Sequence, residues 1–408
     1  MKKIIALLFF ISFVSCKSDD NVETVTATFA IPEVMSKTDW RSQIEVQVPK
    51  PIENVGKIYV YNDFIFIGEE DKGVHVFDNS NPTSPQIIAF LNIPGNEDIA
   101  IKNNFLFADS AIDLIVFGIS NINGITQVAL LEDVFDYYEQ FDTPDPFAFT
   151  DYSDFNPEEE VIVGWTYEER ELEQSFYDDI YTLGSGESAN SVGVGGSLAR
   201  FQIVEDYLYT VGEAELSTFN ISNLSAPSFV TSYYAGWRIE TMFHAEGYLY
   251  LGGDNGMFIH SVENPASPTF ISEFTHWEGC DPVVVDGDYA FLTLRGGNEC
   301  GQELSVLEVI DVSNKYNPTL VAQHSLDNPY GLGFKDNYLF VCDGNSGLKV
   351  YDKTNPLDLQ MINAFEEINA KDVIPLEDKL LMIAEDALYQ YEYNDEGAIQ
   401  LLSTLILN

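Results

Sequence analysis

Apolar and polar residues alternate along most of the chain in short runs that are separated by turn residues. Residues 58–68 contain two such runs, IYVY and FIFIG, with an Asn-Asp pair between them. Alternation with a period of two is typical of strands that bury one face, and the pair between the runs is typical of a tight turn. Two further runs follow, at 73–78 and 86–92. The pattern predicts four short antiparallel strands over residues 55–92.

The same order of strands recurs along the chain, and an Asn in the turn after the third strand serves as a ruler. Four of the six spacings between these asparagines are 39 to 41 residues, one is 50 and one is 102. The asparagines are Asn81, Asn121, Asn223, Asn264, Asn314, Asn355 and, in a degenerate copy, Asn394. Once a 61-residue and a nine-residue insertion are set aside, about 41 residues remain for each of seven units.

Four short strands in each unit of about 40 residues are the signature of a β-propeller blade. One blade leaves both of its faces exposed, whereas a ring of blades buries them. We therefore predict an all-β, seven-bladed β-propeller of four-stranded antiparallel blades over residues 43–408, with one long acidic insertion. A β-sandwich or a solenoid of antiparallel sheets is the alternative.

Two segments are candidates for the strand that closes the ring. One is Gln43–Val48, which alternates and precedes the first unit, and the other is Ile399–Leu407 at the C-terminus. The first of them could instead add to the edge of a sheet.

Several strands resemble a known repeat. The segments Leu304–Asn314 and Gly347–Asp352, each followed by a turn with Asn and Pro, resemble the LVIVD repeats of bacterial and archaeal cell-surface proteins. The resemblance extends from Val55 to the C-terminus outside the long insertion, and it is strongest in units one, four, five and six. It implies a β-propeller fold and a surface location, and it implies no established enzymatic activity.

The N-terminus has the features of a bacterial signal peptide. Two lysines precede the apolar run Ile4–Val14, which is too short to span a bilayer as a helix. The run ends at Cys16 in a segment, FVSC, that resembles the lipobox of bacterial lipoproteins. This resemblance implies removal of residues 1–15 and lipidation of Cys16. An ordinary signal peptide with a chance cysteine is the alternative.

The residues after Cys16 suggest where the anchored protein faces. Lys17–Asp20 resembles the acidic tag of surface-exposed lipoproteins of the Bacteroidota. We expect residues 16–42 to form the lipidated cysteine and a tether. The protein would then be held at the outer membrane by lipid alone and be exposed at the cell surface.

The charge of the chain narrows the classes of partner. Its 408 residues include 66 acidic side chains against 19 Lys plus Arg, for a formal net charge of −47. Phosphate would be repelled, so we expect no nucleic-acid partner and no basic patch for anionic lipid. Because 45% of the residues are apolar, a large core is expected rather than disorder.

Both insertions fall on one face of the predicted ring. The chain reverses at each turn of a meander, so the loops after strands two and four open on the same side, which we call the top face. The short insertion, Arg295–Gln302, follows strand two of unit five, and the long one, 134–194, follows strand four of unit two. Loop-rich faces commonly carry function, although neutral drift of surface loops would give the same pattern.

The long insertion is both acidic and aromatic. It holds sixteen acidic residues and a single base, Arg170. Apolar residues spaced four apart predict an amphipathic helix over Glu168–Tyr181. The insertion is thus either a cap that meets a partner or a loosely ordered acidic loop.

Few residues indicate chemistry. Cys280 and Cys300 lie on the top face of unit five and form a candidate disulfide, whereas Cys342 is expected to be a buried, apolar-like residue. The chain has no zinc-binding histidine pair, no nucleophile elbow and no calcium-loop motif. We therefore predict no metal site, no cofactor and no catalytic residue.

The first strands of the units begin around the axial funnel on the top face. Acidic residues there include Glu97, Asp98 and Asp372. The residues predicted to face a ligand are Trp237, Arg238, Asp281, Arg295, Tyr330 and Lys371. A basic side chain in this position either pairs with acidic neighbours or binds an anionic or hydroxylated ligand.

We therefore expect a surface-anchored lipoprotein that acts as a protein- or ligand-binding scaffold through its top face, with an unknown protein or glycan as partner. The alternative is an extracellular propeller enzyme that acts on glycans in the axial funnel. Such an enzyme needs a cluster of Tyr, His, Arg and carboxylates around one substrate atom.

Overall fold

The computed structural model describes residues 24–135, 148–173, 197–212, 214–253, 256–275, 282–296, 304–393 and 399–407. Strands dominate these ranges, which contain one five-residue α-helix and one short 3-10 helix. The chain divides into two compact units. Of the described residues, the smaller unit holds 24–33, 148–155 and 164–173, and the larger unit holds the remainder.

Seven antiparallel sheets, each built from four consecutive strands in chain order, form the larger unit, and we number them I to VII. The chain first forms β1 (Thr24–Ser36), α1 (Lys37–Arg41) and β2 (Glu45–Gln47). Sheet I contains β3 (Val55–Tyr61), β4 (Phe64–Glu69), β5 (Gly73–Asp78) and β6 (Gln86–Asn92). Sheet II contains β7 (Ile99–Lys102), β8 (Phe105–Ser110), β9 (Asp113–Gly118) and β10 (Thr126–Leu131), with the 3-10 helix Ile122–Gly124 before β10. Two strands of the long insertion follow, β11 (Phe149–Thr150) and β12 (Glu160–Glu173).

The remaining sheets repeat the arrangement. Sheet III contains β13 (Phe201–Val204), β14 (Tyr207–Val211), β15 (Glu215–Asn220) and β16 (Ser228–Tyr234). Sheet IV contains β17 (Ile239–Ala245), β18 (Tyr248–Gly253), β19 (Gly256–Ser261) and β20 (Thr269–Thr275). Sheet V contains β21 (Val283–Asp286), β22 (Tyr289–Leu294), β23 (Val306–Asp311) and β24 (Thr319–Ser325). Sheet VI contains β25 (Leu332–Lys335), β26 (Tyr338–Cys342), β27 (Leu348–Asp352) and β28 (Gln360–Phe365). Sheet VII contains β29 (Ala370–Pro375), β30 (Lys379–Ala384), β31 (Ala387–Tyr393) and β32 (Ile399–Ile406).

The turn between the third and fourth strands is the same in six sheets. In each, the carbonyl oxygen of the ruler Asn accepts a hydrogen bond from the backbone N–H three residues later, at 2.9 to 3.0 Å. These residues are Asn81, Asn121, Asn223, Asn264, Asn314 and Asn355. Asn394 lies outside the described residues. The repeat of four-stranded units is thereby confirmed for units one to six at the position from which it was predicted.

A β-bulge recurs at one position in every sheet, where the fourth strand carries one extra residue against the third. The bulged residues are Ile88, Val128, Val230, Ile271, Val321, Ile362 and Leu402. Their spacings of 40, 102, 41, 50, 41 and 40 residues follow the asparagine ruler to within one residue. A bulge bends and twists an edge strand, which discourages edge-to-edge pairing.

Each sheet shares an apolar core with the sheet that follows it. The cores join sheets I and II, II and III, III and IV, IV and V, V and VI, and VI and VII. A further core joins sheets VII and I, through residues that include Ile65, Phe77, Leu381 and Leu388. Strands buried on both faces explain why second strands such as β4 (FIFIGE), β26 (YLFVC) and β30 (KLLMIA) read as nearly continuous apolar runs. The prediction of an all-β chain of four-stranded antiparallel sheets is confirmed.

The two candidate closing strands join different sheets. β32 pairs with β31 and is the fourth strand of sheet VII. β2 pairs with β6, with Val46 opposite Leu91, and is a fifth strand on the edge of sheet I. Of the places open to Gln43–Val48, the segment therefore takes the edge of a sheet.

Part of the segment assigned to a tether, 16–42, has regular structure. β1 begins at Thr24, and α1 begins after Ser36, whose Oγ accepts a hydrogen bond from the Asp39 N–H at 3.1 Å. Arg41, at the end of α1, donates two hydrogen bonds to the Asp113 carboxylate at 2.7 and 2.9 Å. A tether is therefore restricted to residues before Thr24, which lie outside the described part of the chain.

The smaller unit is built on a three-stranded sheet in the order β11-β1-β12, in which β11 runs parallel to β1. The Arg170 guanidinium bonds the Asp151 carboxylate at 2.5 Å and lies 4.7 Å from the centre of the Phe29 ring. The predicted helix over Glu168–Tyr181 is wrong as far as residue 173, because β12 extends to Glu173. Pairing with β1, more than 130 residues earlier, overrides the local four-residue spacing. Residues 174–181 lie outside the described part.

Candidate ligand-binding face

The top face of the larger unit can be located from the strand directions. It is the set of sheet ends where second and fourth strands end and first and third strands begin. Trp237 and Arg238 lie there between β16 and β17, Arg295 follows β22, Tyr330 precedes β25 and Lys371 is the second residue of β29. Asp281 lies outside the described residues, as do both cysteines of the candidate disulfide, Cys280 and Cys300.

Arg295, Tyr330 and Lys371 come together although they belong to sheets V, VI and VII. The Arg295 Cζ lies 4.3 Å from the centre of the Tyr330 ring, and the Lys371 Nζ lies 3.9 Å from it. Both distances are within the range of a cation–π interaction. We call Arg295, Tyr330, Lys371 and the adjacent Asn328, whose amide donates to the Tyr330 hydroxyl at 3.4 Å, the tyrosine cluster.

Backbone contacts between sheets hold the cluster in place. The Tyr330 N–H donates to the Cys342 carbonyl at 2.8 Å, and the Thr293 hydroxyl donates to the Tyr330 carbonyl at 2.6 Å. The Gly331 N–H donates to the Lys371 carbonyl at 2.8 Å. The tyrosine is thus tied to β22, β26 and β29, so its ring position is fixed by the packing of three sheets.

The charges around Tyr330 change its acidity. Burial acts to raise the pKa of Tyr330, but the hydrogen bond and charge of Lys371, together with the charge of Arg295, lower it below its ordinary value. The Arg295 Nε is buried and has no hydrogen-bond partner among the described residues. The cluster therefore contains two cations, Arg295 and Lys371, and the guanidinium of Arg295 has a hydrogen-bond donor without a partner among the described residues.

Trp237 and Arg238 form a separate feature of the top face. The Trp237 side chain is 55% exposed, and Arg238 has a φ of +47°, an uncommon value for a residue with a side chain. A Cβ on Gly253 would lie 2.9 Å from the carbonyl oxygen of Trp237 and 2.6 Å from that of Arg238, which is too close. Glycine is therefore needed at 253 so that the loop with Trp237 and Arg238 can pack against β18.

A short segment after the long insertion crosses the first strands of several sheets. The Ala199 carbonyl accepts from the Met242 N–H at 2.7 Å, and the Ser197 Oγ accepts from the Leu332 N–H at 2.9 Å. Leu198 lies in the core shared by sheets I and VII. We call Ser197–Phe201 the inner segment. It lies against β17 and β25, the first strands of sheets IV and VI, and its sequence, SLARF, gives no signal for this role.

Acidic residues hold the end of the inner segment. The Asp98 carboxylate accepts hydrogen bonds from the backbone N–H groups of Arg200 and Phe201 at 2.5 and 2.9 Å, and Lys57 Nζ lies 3.6 Å from it. Asp372 is fully buried, and burial raises its pKa well above the ordinary value. The Asp98 carboxylate is therefore bonded within the protein and Asp372 is buried, so neither of these predicted funnel residues is open to a ligand.

Cys342 is free and buried, as expected from the sequence. Burial raises its pKa well above the ordinary value, so the thiol is not set up as a nucleophile. In the part of the chain that the structure describes, no helix has the length and apolar composition needed to cross a membrane.

The family model for the LVIVD repeat matches four segments of the chain. The matched residues are 54–91, 195–235, 245–276 and 280–324. They correspond to sheets I, III, IV and V. Three of these matches fall on units one, four and five, which were expected to be among the strongest copies. The remaining match falls on unit three, and unit six, which was also expected, is not matched. No curated protein matches the sequence.

Solved structures share the fold at low sequence identity. The Saccharomyces cerevisiae protein Sqt1 is 9% identical, with a TM-score of 0.53, and the similarity covers 86% of this chain and 85% of that one. A functionally unknown protein from Desulfotomaculum acetoxidans is 12% identical, with a TM-score of 0.53 and coverage of 85% and 99%. The computationally designed Ika8 protein is 10% identical, with a TM-score of 0.51 and coverage of 88% and 90%. At such identities the likeness concerns the fold alone. The chain therefore contains four LVIVD repeats within a β-propeller-like, all-β fold.

Proposed function

We propose that sheets I to VII close into one seven-bladed ring. The support is that every sheet shares a core with the next and that sheet VII shares one with sheet I. The side-chain amides of Asn79 and Gln390 also bond each other in both directions, at 3.0 and 2.8 Å. In such a ring the first strands surround the axis, and the inner segment fills it.

On this ring we propose a lipoprotein scaffold, anchored through Cys16 to the outer membrane and exposed at the cell surface, which binds an anionic group of a glycan or protein at the tyrosine cluster. One observation indicates that the ligand is anionic. In a chain of net charge −47, neither Arg295 nor Lys371 forms an ion pair with a carboxylate among the described residues, and both lie over one tyrosine instead.

The chemistry of the cluster suits a carboxylate or sulfate. A guanidinium and an ammonium offer charge-assisted hydrogen bonds to anionic oxygens, and the Asn328 amide offers a neutral donor. The acidic remainder of the protein repels anions in general, so only a local arrangement of cations can retain one.

The test uses the purified protein without its lipid and three polymers as probes: polygalacturonate, dextran sulfate and neutral dextran. We expect one of the two anionic polymers, and not dextran, to be retained by the immobilised protein at low salt and released as salt is raised. Replacing Arg295 or Lys371 by Gln should weaken this binding about fivefold each, equivalent to about 1 kcal/mol.

Lys379→Gln is the matched control, because Lys379 pairs with its exposed neighbour Asp378 away from the cluster. Equal losses for Lys379→Gln and Lys371→Gln, or retention of neither anionic polymer, would contradict the proposal. The anchor is checked in cells, where Cys16→Ala should move the protein from the membrane fraction to the soluble one.

The second candidate function is the glycan-acting enzyme, which the lowered pKa of Tyr330 favours. A tyrosine that ionises more easily than usual can act as a general base, and the adjacent cations can neutralise a substrate carboxylate. This candidate predicts that polygalacturonate is shortened during the binding assay and that Tyr330→Phe abolishes the shortening. Binding without shortening supports the scaffold.

A further inference from the structure

A pocket separate from the tyrosine cluster opens between sheets II and III. It encloses about 520 Å³, part of which is open to solvent. Residues that line it include Glu97, Asp109, Phe135, Arg200, Thr210 and Glu215. Its lining mixes charged, hydroxyl and aromatic groups.

Two nearly buried polar side chains present unused hydrogen-bonding groups to this pocket. Thr210 is 3% exposed, and its hydroxyl has no hydrogen bond with any described residue. Asp109 is 6% exposed, and its Oδ1 accepts from the Asn96 amide at 2.6 Å and from the Glu97 and Asp98 N–H groups at 3.0 Å each. No described residue bonds its Oδ2. Buried polar groups are normally satisfied, so these two groups point to a ligand.

The charges in the pocket leave a small negative excess. Arg200 forms an ion pair with Glu97. Burial, followed by the charge of Glu97, raises the pKa of Asp109 to about 7, against the opposing effect of its backbone hydrogen bonds. Glu215 accepts a hydrogen bond from the Ser232 hydroxyl at 2.8 Å and is the remaining carboxylate. These charges repel an anion, whereas a neutral ligand with several hydroxyl groups can donate hydrogen bonds to the carboxylate oxygens.

One wall of the pocket is aromatic. The Phe135 ring packs edge-on against Phe219, with ring centres 5.7 Å apart, and its centre lies 6.4 Å from that of Phe201. Phe135 is held by these two rings of sheet III while it lines the pocket. A fixed aromatic ring beside hydrogen-bonding groups offers an apolar surface to one side of a ligand and polar partners to its edge.

We propose that this pocket binds one ring of a neutral sugar, with Phe135 against its C–H face and Asp109, Thr210 and Glu215 bonding its hydroxyl groups. Hydroxyl groups of a sugar donate to carboxylate oxygens and both donate to and accept from a threonine hydroxyl. This site belongs to sheets II and III and does not depend on the tyrosine cluster of sheets V to VII.

The test is calorimetric titration and ligand-observed NMR of the protein with five separate probes: glucose, galactose, mannose, xylose and N-acetylglucosamine. We expect saturable binding of at least one probe. Thr210→Val removes the hydroxyl at nearly constant shape and should weaken that binding about tenfold. Phe135→Ala should weaken it by a similar factor, and thermal unfolding verifies that both variants are folded.

Thr218→Val is the matched control, because Thr218 is a fully buried threonine of the same sheet whose hydroxyl also lacks a partner but does not line the pocket. It should bind the sugar as the unaltered protein does. The proposal is overturned if none of the five sugars binds saturably, or if Thr218→Val and Thr210→Val weaken binding equally. Binding of lysine methyl ester without any sugar would instead identify a cation site and also overturn it.

Discussion

His260 of sheet IV is a neutral histidine, and both of its ring nitrogens bond residues at the end of sheet III. Its Nδ1 accepts from the Tyr233 hydroxyl at 2.9 Å, and its Nε2–H donates to the Ala235 carbonyl at 2.9 Å. These partners select one tautomer. Burial lowers the pKa of His260 to about 4, and the bond to Ala235 opposes this only in part. The residue is therefore a structural element that proton uptake would disrupt.

We expect His260 to make stability depend on pH. Its pKa is about 4 in the folded protein, below the ordinary 6.5, so its contribution is fully present above pH 6.5 and is lost as the pH falls towards 4. The loss over that interval is about 3 kcal/mol. Urea unfolding at several pH values, for the protein and for His260→Gln, measures this as a difference.

The difference between the two unfolding free energies should shrink as the pH is lowered from 6.5 to 4. His75 and His244, whose pKa values are also lowered mainly by burial, are present in both proteins and cancel. A difference that stays constant over this interval would show that His260 takes up its proton as readily folded as unfolded.

Residue-level chemistry was partly visible in the sequence. Arg295, Tyr330 and Lys371 could each be placed at the top face from their position in a repeat, but their meeting depends on how three sheets pack. Thr210 and Phe135 gave no signal at all, because a threonine in a strand and a phenylalanine after one are ordinary core residues. What marks them is an unused hydroxyl and a pocket, and both exist only in the folded chain.

In three sheets a glycine stands at the start of the third strand or directly before it, and no other residue can replace it without strain. Gly73, Gly256 and Gly347 have φ values of +135°, +129° and +85°. A Cβ on any of them would lie 1.9 to 2.0 Å from the backbone carbonyl oxygen of Leu91, Phe274 or Phe365, respectively. This position therefore combines a left-handed backbone with direct contact to the fourth strand.

We expect Gly256→Ala to lower the free energy of unfolding by about 3 kcal/mol or more, because the methyl group collides with the Phe274 carbonyl and the backbone is strained. Gly247→Ala is the matched control in the same sheet. Gly247 also has a positive φ, +81°, but a Cβ there meets nothing within 4 Å. It should cost about 1 kcal/mol. Equal losses in chemical denaturation would mean that the collision is relieved at no cost.

At the scale of the element, the repeat was predictable and the insertion was not. Alternation and the asparagine ruler are local signals, so the strands and turns of the sheets follow from short stretches of sequence. β12 pairs with β1, which lies far away in the chain, and Leu172 at four-residue spacing pointed instead to a helix. Local periodicity predicts the wrong element where pairing with a distant strand determines the structure.

Leu198 links parts of the larger unit that are distant in sequence. It lies four residues after the long insertion, in the core of sheets I and VII. Its neighbour Ser197 bonds β25 of sheet VI, and Ala199 bonds β17 of sheet IV. One short segment thus contacts four sheets besides the sheet that it enters. The stability of the larger unit should be correspondingly cooperative.

We expect Leu198→Ala to lower the free energy of unfolding by about 2–4 kcal/mol, since it leaves a cavity in a core shared by the first and last sheets. Leu320→Ala is the control, because Leu320 is 45% exposed on the outer strand of sheet V. It should change stability by less than about 1 kcal/mol. Similar effects of the two substitutions in calorimetry would show that Leu198 does not support the core.

The core between sheets I and VII also bears on how the protein is made. Ile58, Ile65 and Phe77 are synthesised more than 300 residues before their partners Leu381, Leu388 and Leu407. Until then one apolar face of sheet I lacks its native cover, over more than 300 residues of chain growth. We therefore expect the nascent chain to need chaperones that hold exposed apolar strands, and removing residues 399–408, which include β32, should leave it prone to aggregation.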